Sequence, residues 1–222
     1  MNAILVVAPH PDDETLGCGG TLLRHVAEGD PVHWLIATSM TEDVGYTSAE
    51  VARRRAQIAK VADGFGFTAV HELGFPTTYL DTVPLVDLVS AIGEVIQEIE
   101  PVTLYLPYGG DAHSDHGITF KAAQACTKWF RYPSIRHCYC YETLSETDFA
   151  LPSAGPGMLI NRYVDISAYI DKKLEIVSYY DDETAEHPFP RSQTTVKALG
   201  ELRGAAAGCM AAEAFQTLKE IV

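Results

Sequence analysis

The stretch Ile4-Leu5-Val6-Val7-Ala8-Pro9-His10-Pro11-Asp12-Asp13-Glu14 decides how this chain folds. An unbroken apolar run ends abruptly in a histidine, two prolines and three acids. Because the run does not alternate polar with apolar residues, it predicts a strand buried on both faces, as in a parallel sheet. A helical pattern begins near Glu14, so the polar cluster lies on the turn between a strand and a helix. In open α/β sheets, ligands bind at this edge.

His10 and Asp13 are candidate metal ligands. A turn after a strand can bring residues i and i+3 to one side, and imidazole with carboxylate suits a divalent metal of the zinc kind. Asp12 lies between them, and we expect it to contact a metal-bound water instead. The alternative interpretation is a helix N-cap, with an aspartate as the capping residue. Pro9 and Pro11 favour the metal turn, because they stiffen it and remove two amide donors.

A second polar turn has the same layout. The stretch Gly109-Gly110-Asp111-Ala112-His113-Ser114-Asp115-His116-Gly117 follows an apolar run over residues 102–106 and precedes a helical pattern. Two such turns on one sheet edge can meet in space. His116 is then a candidate third ligand, and one coordination position stays open for water. Three protein ligands with an open position is the arrangement of catalytic zinc sites.

Together, Pro9-His10-Pro11-Asp12-Asp13-Glu14 and His113-x-Asp115-His116 resemble the PIG-L/LmbE family of zinc-dependent N-acetylglucosamine deacetylases. The resemblance extends to the C-terminal part and points to the bacterial, bacillithiol-type branch. The segments that carry it there are Asp165-Ile166-Ser167, Lys172-Lys173, His187-Pro188-Phe189-Pro190-Arg191-Ser192, Arg203-Gly204 and Ala212-Glu213-Ala214-Phe215. The resemblance implies a hydrolase with Zn²⁺ as cofactor, other divalent metals being alternatives, and a small N-acetylglucosaminyl substrate.

The resemblance also implies roles for the residues of the first motif. A metal held by His10, Asp13 and His116 lowers the pKa of bound water and polarises the acetyl carbonyl of the substrate. Asp12 is the implied general base, which takes the proton from the water and passes it to the leaving amine.

His113 and Asp115 are the other implied catalytic residues. His113 would lie near the developing oxyanion, oriented and kept cationic by Asp115. The alternative for His113 is a capping or core histidine. Some family members have a tyrosine two residues before this histidine, where this chain has Asp111, so stabilisation by that tyrosine is not expected here.

Arg54 is a predicted substrate-binding residue in a helix over residues 48–64. The family has an arginine here, three residues before a glutamate, and this chain has Gln57 at the glutamate position. An arginine near the site would hold a phosphate or carboxylate of the substrate. The alternative is a solvated helix face.

Tyr79, His187 and Arg191 are the remaining predicted substrate-binding residues. Tyr79 lies on a loop at the same sheet edge, and residues 187–191 form a proline-stiffened loop that is expected to close over the substrate. Just before that loop, Asp182-Glu183 departs from the Ser-Gln that the family usually has.

The predicted fold is α/β: a Rossmann-like three-layer fold with a mostly parallel sheet. Strand patterns at 32–37 and 69–73 alternate with helical patterns at 48–64 and 84–100, as in right-handed βαβ units. The later predicted elements are helix 117–130, strand 135–141, strand 158–164, helix 166–180 and helix 192–208. We expect one domain over residues 1–222, with a C-terminal subregion from about residue 150, at the Pro/Gly/Ser loop 150–157.

Composition excludes several classes of partner. With 30 acidic and 16 basic residues, the formal net charge is −14, which argues against nucleic acids and anionic membrane surfaces. Neither a signal segment nor a membrane span is evident. The five cysteines are odd in number and scattered, which predicts a reduced cytoplasm, with Cys138 and Cys140 in the core. The family resemblance is compatible with homo-oligomers.

Two other functions fit the same residues. Two histidines and a carboxylate also form the non-haem Fe(II) facial triad of oxygenases. That triad usually has one residue between its His and its acid, whereas two separate His10 from Asp13. The second alternative is a sugar-binding protein of the same fold with little or no catalysis, which the departures at Gln57, Asp111 and Asp182-Glu183 leave open.

Overall fold

Strand β1 (Ile4–Ala8) is the buried centre of the fold. The computed structural model describes residues 2–151 and 157–222. Its other strands are β2 (Val32–Ser39), β3 (Ala69–Pro76), β4 (Thr103–Pro107), β5 (His137–Tyr141), β6 (Arg162–Asp165) and β7 (Ala212–Glu220). The helices are α1 (Asp13–Ala27), α2 (Ser48–Phe65), α3 (Leu85–Ile99), α4 (Ser114–Ala125), α5 (Ile170–Val177) and α6 (Gln193–Ala207).

The seven strands form one sheet in the order β3-β2-β1-β4-β5-β7-β6. Strands β1 to β5 are parallel, whereas β7 runs antiparallel to both β5 and β6. The predicted α/β fold with a mostly parallel sheet is therefore confirmed. Both neighbours of β1 are parallel to it, and the chain moves to β2 on one side and later to β4 on the other. This makes β1 and β4 a topological switch point, where ligands bind in such sheets.

Two apolar layers cover the sheet, as the side-chain alternation of a strand requires. Val6 of β1 packs in one layer with Trp34, Tyr105 and residues of α1, α2 and α5. Leu5 packs in the other layer, with residues of α3 and α4. Every residue of β1 is at most 1% exposed, which explains its unbroken apolar sequence. Cys138 and Cys140 lie in the second layer, as predicted.

Strand β7 ties helix α1 to the sheet through a buried carboxylate. Helix α1 has a non-helical residue at Cys18 (φ −142°), and two N–H groups just after this kink donate to a side chain outside the helix. Glu213 accepts those of Gly20 (2.8 Å) and Thr21 (2.7 Å). Lys173 of α5 pairs with the same carboxylate at 2.7 Å. Helix α1, which begins at Asp13, is thereby fixed in place.

Some predicted element bounds are wrong. Helix α4 begins at Ser114 rather than at residue 117 and ends at Ala125, because residues 126–130 form turns. Helix α5 is shorter than the predicted 166–180, and β7 was not predicted at all. Residues 152–156 of the predicted boundary loop lie outside the described residues, so a subregion from about residue 150 stays a prediction. Within the described ranges, no helix has the length and apolar character that crossing a bilayer needs.

Candidate metal centre and substrate cavity

The turns after β1 and β4 bring His10, Asp13 and His116 together. One oxygen of Asp13, Oδ2, lies 3.4 Å from His10 Nδ1 and 3.3 Å from His116 Nε2. Candidate ligand atoms of the three residues lie within 4.8 Å of one another. Two ligands of a tetrahedral zinc ion, each bonded at 2.0–2.1 Å, are about 3.3–3.4 Å apart. The donor set therefore fits an ion of this kind.

A strained turn separates Asp12 from the two ligands beside it. Asp12 has φ 135°, a conformation that costs a residue with a side chain about 1–3 kcal/mol. Its N–H donates to Oε2 of the buried Glu14 at 3.1 Å, and Tyr180 donates to the other oxygen of Glu14 at 3.0 Å. Arg54 donates to the Pro11 carbonyl at 3.2 Å. The surroundings thus hold Asp12 in place, and Glu14 has a structural role there that the sequence did not reveal.

Asp111 orients His116, one of the candidate metal ligands. Its Oδ2 accepts a hydrogen bond from His116 Nδ1 at 2.8 Å, and Thr147 donates to its Oδ1 at 2.6 Å. A carboxylate on the far nitrogen fixes the tautomer of a metal-binding histidine and raises its basicity. The departure from the family at Asp111 thus supplies a supporting contact for the metal ligand.

The predicted contact between Asp115 and His113 is corrected by the structure. The Asp115 carboxylate lies 3.1 Å from His10 Nε2 and accepts the N–H groups of Thr78 (2.7 Å) and Leu80 (3.3 Å). Because Asp115 lies in the first turn of α4, only its backbone N–H reaches His113. Asp115 therefore orients the candidate ligand His10 and the loop after β3.

His113 is the N-cap of α4. Its Nδ1 accepts the N–H of Asp115 at 3.1 Å, so the proton of the neutral ring lies on Nε2. Burial, with the nearby His10, lowers the pKa of His113, which opposes the predicted cationic ring. The capping interpretation is correct for Nδ1, while the ring also lines the cavity and can offer Nε2–H as a donor.

The charges around the three candidate ligands favour a cation. Burial alone lowers the pKa of His10, but Asp115 and Asp13 outweigh it and raise the pKa to about 9. Burial likewise lowers the pKa of His116, yet Asp13 and Asp111 raise it to about 10. Burial raises the pKa of Asp13, but the two histidines outweigh it and lower it well below the usual range. Three carboxylates thus surround two histidines.

The surroundings of Asp12 raise the pKa of its carboxyl group. Burial, with the charge of Asp13, raises it to about 7, against the opposing charge of Arg191. Arg191 Nη1 donates to Asp12 Oδ2 at 2.8 Å. General bases are most effective when their pKa lies close to the working pH.

These groups open into a cavity of about 590 Å³, a size typical of small-molecule sites. Arg54 and Arg191 line it, together with Thr77 and Thr78. Two predicted substrate-binding residues, Tyr79 and His187, are not part of its wall. Tyr79 is 47% exposed beside a short 3-10 turn. The exposed His187 has Thr195 Oγ1 as its neighbour at 3.5 Å.

Two departures from the family pattern lie face to face. Gln57 Nε2 donates to Asp182 Oδ1 at 2.7 Å and to Asp181 Oδ1 at 3.0 Å. Glu183 makes close contacts with the arginines at 54 and 191. The amide of Gln57 on α2 therefore binds the acids that precede Glu183. Neither position on its own indicates this contact in the sequence.

A comparison with known families decides where this chain belongs. Residues 5–127 match the model described as PIG-L: GlcNAc-PI de-N-acetylase. This range holds both metal turns and more than half of the chain. The chain belongs to the PIG-L family. Within this PIG-L protein, Glu183 and Arg191 lie beyond the matched residues.

Relatives and a solved structure agree with this membership. The 1D-myo-inositol 2-acetamido-2-deoxy-alpha-D-glucopyranoside deacetylase of Rhodococcus erythropolis is 30% identical over 156 residues, 55% of this chain and 53% of that protein. The probable N-acetyl-alpha-D-glucosaminyl L-malate deacetylase 2 of Bacillus cereus is 29% identical over 129 residues, 54% and 58% of the two chains. The chain thus spans about half the length of these relatives. The conserved protein TT1542 from Thermus thermophilus superposes with a TM-score of 0.76 at 27% identity, covering 100% of this chain and 97% of that one.

Proposed function

We propose that this PIG-L protein is a zinc-dependent hydrolase that removes the acetyl group from an N-acetylglucosaminyl conjugate, giving the free amine and acetate. The observation that carries the proposal is that the candidate ligand atoms of His10, Asp13 and His116 lie close enough together to bind one metal ion, next to Asp12 in the chain. The names of the relatives support the acetamido sugar as the reacting group. They differ in the aglycone, which is inositol in one and malate in the other.

The metal, when bound, polarises the acetyl carbonyl and lowers the pKa of water. Asp12 takes one proton from the attacking water as the water oxygen bonds to the acetyl carbon, while the Arg191 ion pair keeps the Asp12 carboxylate in position. His113 Nε2–H donates a hydrogen bond to the oxygen on which negative charge develops. Asp12 then gives its proton to the amide nitrogen as the C–N bond breaks. Water has then been added across that bond, and the products are acetate and the amine.

Acetate release from a panel of N-acetylglucosamine conjugates tests the proposal, with and without a chelator. We expect release that a chelator abolishes and added Zn²⁺ restores. The same assay under nitrogen separates hydrolysis from an Fe(II) oxygenase, since hydrolysis needs no oxygen. Binding of the conjugates without acetate release would instead support the sugar-binding alternative and contradict the proposal.

A further inference from the structure

One carboxylate in the cavity wall is shared by two arginines. Glu183 Oε1 makes a close ion pair with Arg54 Nη2, and Glu183 Oε2 lies 3.1 Å from Arg191 Nη1. Arg54 is only 5% exposed, so its guanidinium cannot turn towards solvent. Both cations are therefore already paired within the chain.

Further acceptors complete this neutralisation. Asp182 Oδ2 lies 3.6 Å from Arg54 Nη2, and Gln57 donates to its other oxygen. Arg191 donates to Asp12 and to Ser145 Oγ, each at 2.8 Å. A substrate carboxylate would have to displace carboxylates that the fold itself holds against these guanidiniums, and it would meet their negative charge.

Acidic side chains also outnumber arginines in the rest of the wall. Glu42, Glu72 and Glu146 line the cavity, and among the described residues Arg55 is its one remaining arginine, on the exposed side of α2. The acidic oxygens, with Thr77 and Thr78, are hydrogen-bond acceptors for hydroxyl groups.

We infer that the cavity selects conjugates whose aglycone is uncharged and rich in hydroxyl groups, and that Asp182 and Glu183 determine this specificity. They occupy the guanidinium of Arg54, which would otherwise be available to an anionic aglycone. This inference rests on the proposed deacetylation and names the class of substrate for that same site.

The test compares two substrates of one shape: N-acetylglucosamine linked to malate, and the same compound with both carboxylates converted to amides. We expect kcat/KM for acetate release to be at least tenfold higher on the diamide, with the difference mainly in KM. Equal rates, or faster hydrolysis of the malate conjugate, would overturn the inference while leaving the deacetylation intact. No release from either compound would instead count against the proposed function.

The double variant Asp182→Ser/Glu183→Gln removes both carboxylates. We expect it to move the kcat/KM ratio at least tenfold towards the malate conjugate, because Arg54 is then free to pair with it. Glu186→Gln removes one charge from the same loop away from the cavity wall and is expected to keep the parental ratio. If the double variant unfolds at the parental temperature and keeps the parental kcat/KM ratio, Asp182 and Glu183 do not determine the specificity. If the double variant does not fold, the ratio measured for the parent protein still tests the preference for an uncharged aglycone.

Discussion

Asp12 combines a backbone conformation rare for its residue type with a raised pKa and an arginine partner. Its strain is offset by hydrogen bonds from its neighbours, and the turn separates its side chain from those of His10 and Asp13. The candidate proton acceptor and two candidate metal ligands thus lie within four consecutive positions, and each has a different proposed role.

The variant Asp12→Asn keeps the size and polarity of this side chain but removes its proton affinity. We expect kcat for acetate release to fall by about 10²- to 10⁴-fold, as for the loss of a general base. Metal content, measured by elemental analysis, should equal that of the parent protein, because Asp12 is not a ligand in this arrangement. A parental rate would show that another group accepts the proton.

Asp111→Asn tests the support of His116. We expect the affinity for Zn²⁺ to fall by about 10- to 100-fold, the usual effect of losing a carboxylate behind a metal-binding histidine. Competition with a chromophoric chelator measures the affinity. The matched control is Asp148→Asn, which removes an exposed acid nearby. If both variants bind zinc like the parent, the Asp111 contact does not support the metal site.

Site residues at strand ends can be predicted from the sequence, whereas residues that act through partners far along the chain cannot. His10, Asp13 and His116 were predicted because they follow apolar runs that end at one sheet edge. The supporting role of Asp111 and the pairing of Glu183 depend on contacts with residues far along the chain. No local pattern indicates which side chain will face them.

At the scale of elements, the parallel strands were predictable and β7 was not. Parallel strands covered by helices on both faces have unbroken apolar sequences. Strand β7 begins with four buried residues, but Gln216–Glu220 are polar or partly exposed, a weak signal. Its place between β5 and β6 depends on antiparallel pairing with strands far away in the sequence.

Glu213→Gln tests how β7 holds α1 and α5. It leaves the Lys173 ammonium, which is 4% exposed, without its counter-charge. We expect the free energy of unfolding in urea to fall by about 3–5 kcal/mol, as for a buried pair that loses one partner. The exposed pair of Glu201 with Lys197 provides the control: Glu201→Gln should cost at most about 1 kcal/mol. Similar small losses in both variants would contradict a structural role for the buried pair.

The pair of His33 on β2 and His71 on β3 makes stability depend on pH. Their ring nitrogens lie 3.2 Å apart, and burial, with the neighbouring ring, lowers the pKa of His33. The unfolded chain then binds more protons, so this contribution is complete above the unfolded pKa of about 6.5 and is lost as the pH falls. We expect His33→Gln to lose less stability than the parent between pH 7.5 and 5.5 in urea titrations. A parental slope in His33→Gln would contradict the prediction.

At the scale of the whole molecule, the metal would connect two turns that are far apart in the sequence. A ligand that binds only the folded state stabilises it by about 2.7 kcal/mol at one hundred times its Kd. We therefore expect Zn²⁺ to raise the thermal midpoint of the parent protein in scanning calorimetry. His116→Ala should show little or no rise, whatever its activity. An equal rise in both would place the zinc elsewhere.

The candidate metal centre and the acids that pair with Arg54 stand on different parts of the fold, which has an evolutionary consequence. The reactive groups stand on neighbouring strands and their helices, whose packing tolerates little change. Asp182 and Glu183, which together pair with Arg54 and Arg191, stand on a surface segment outside the strands and the apolar layers. Descendants of a duplicated gene can therefore acquire a new preference for the aglycone through a few codons there, while the residues of the candidate metal centre stay unchanged.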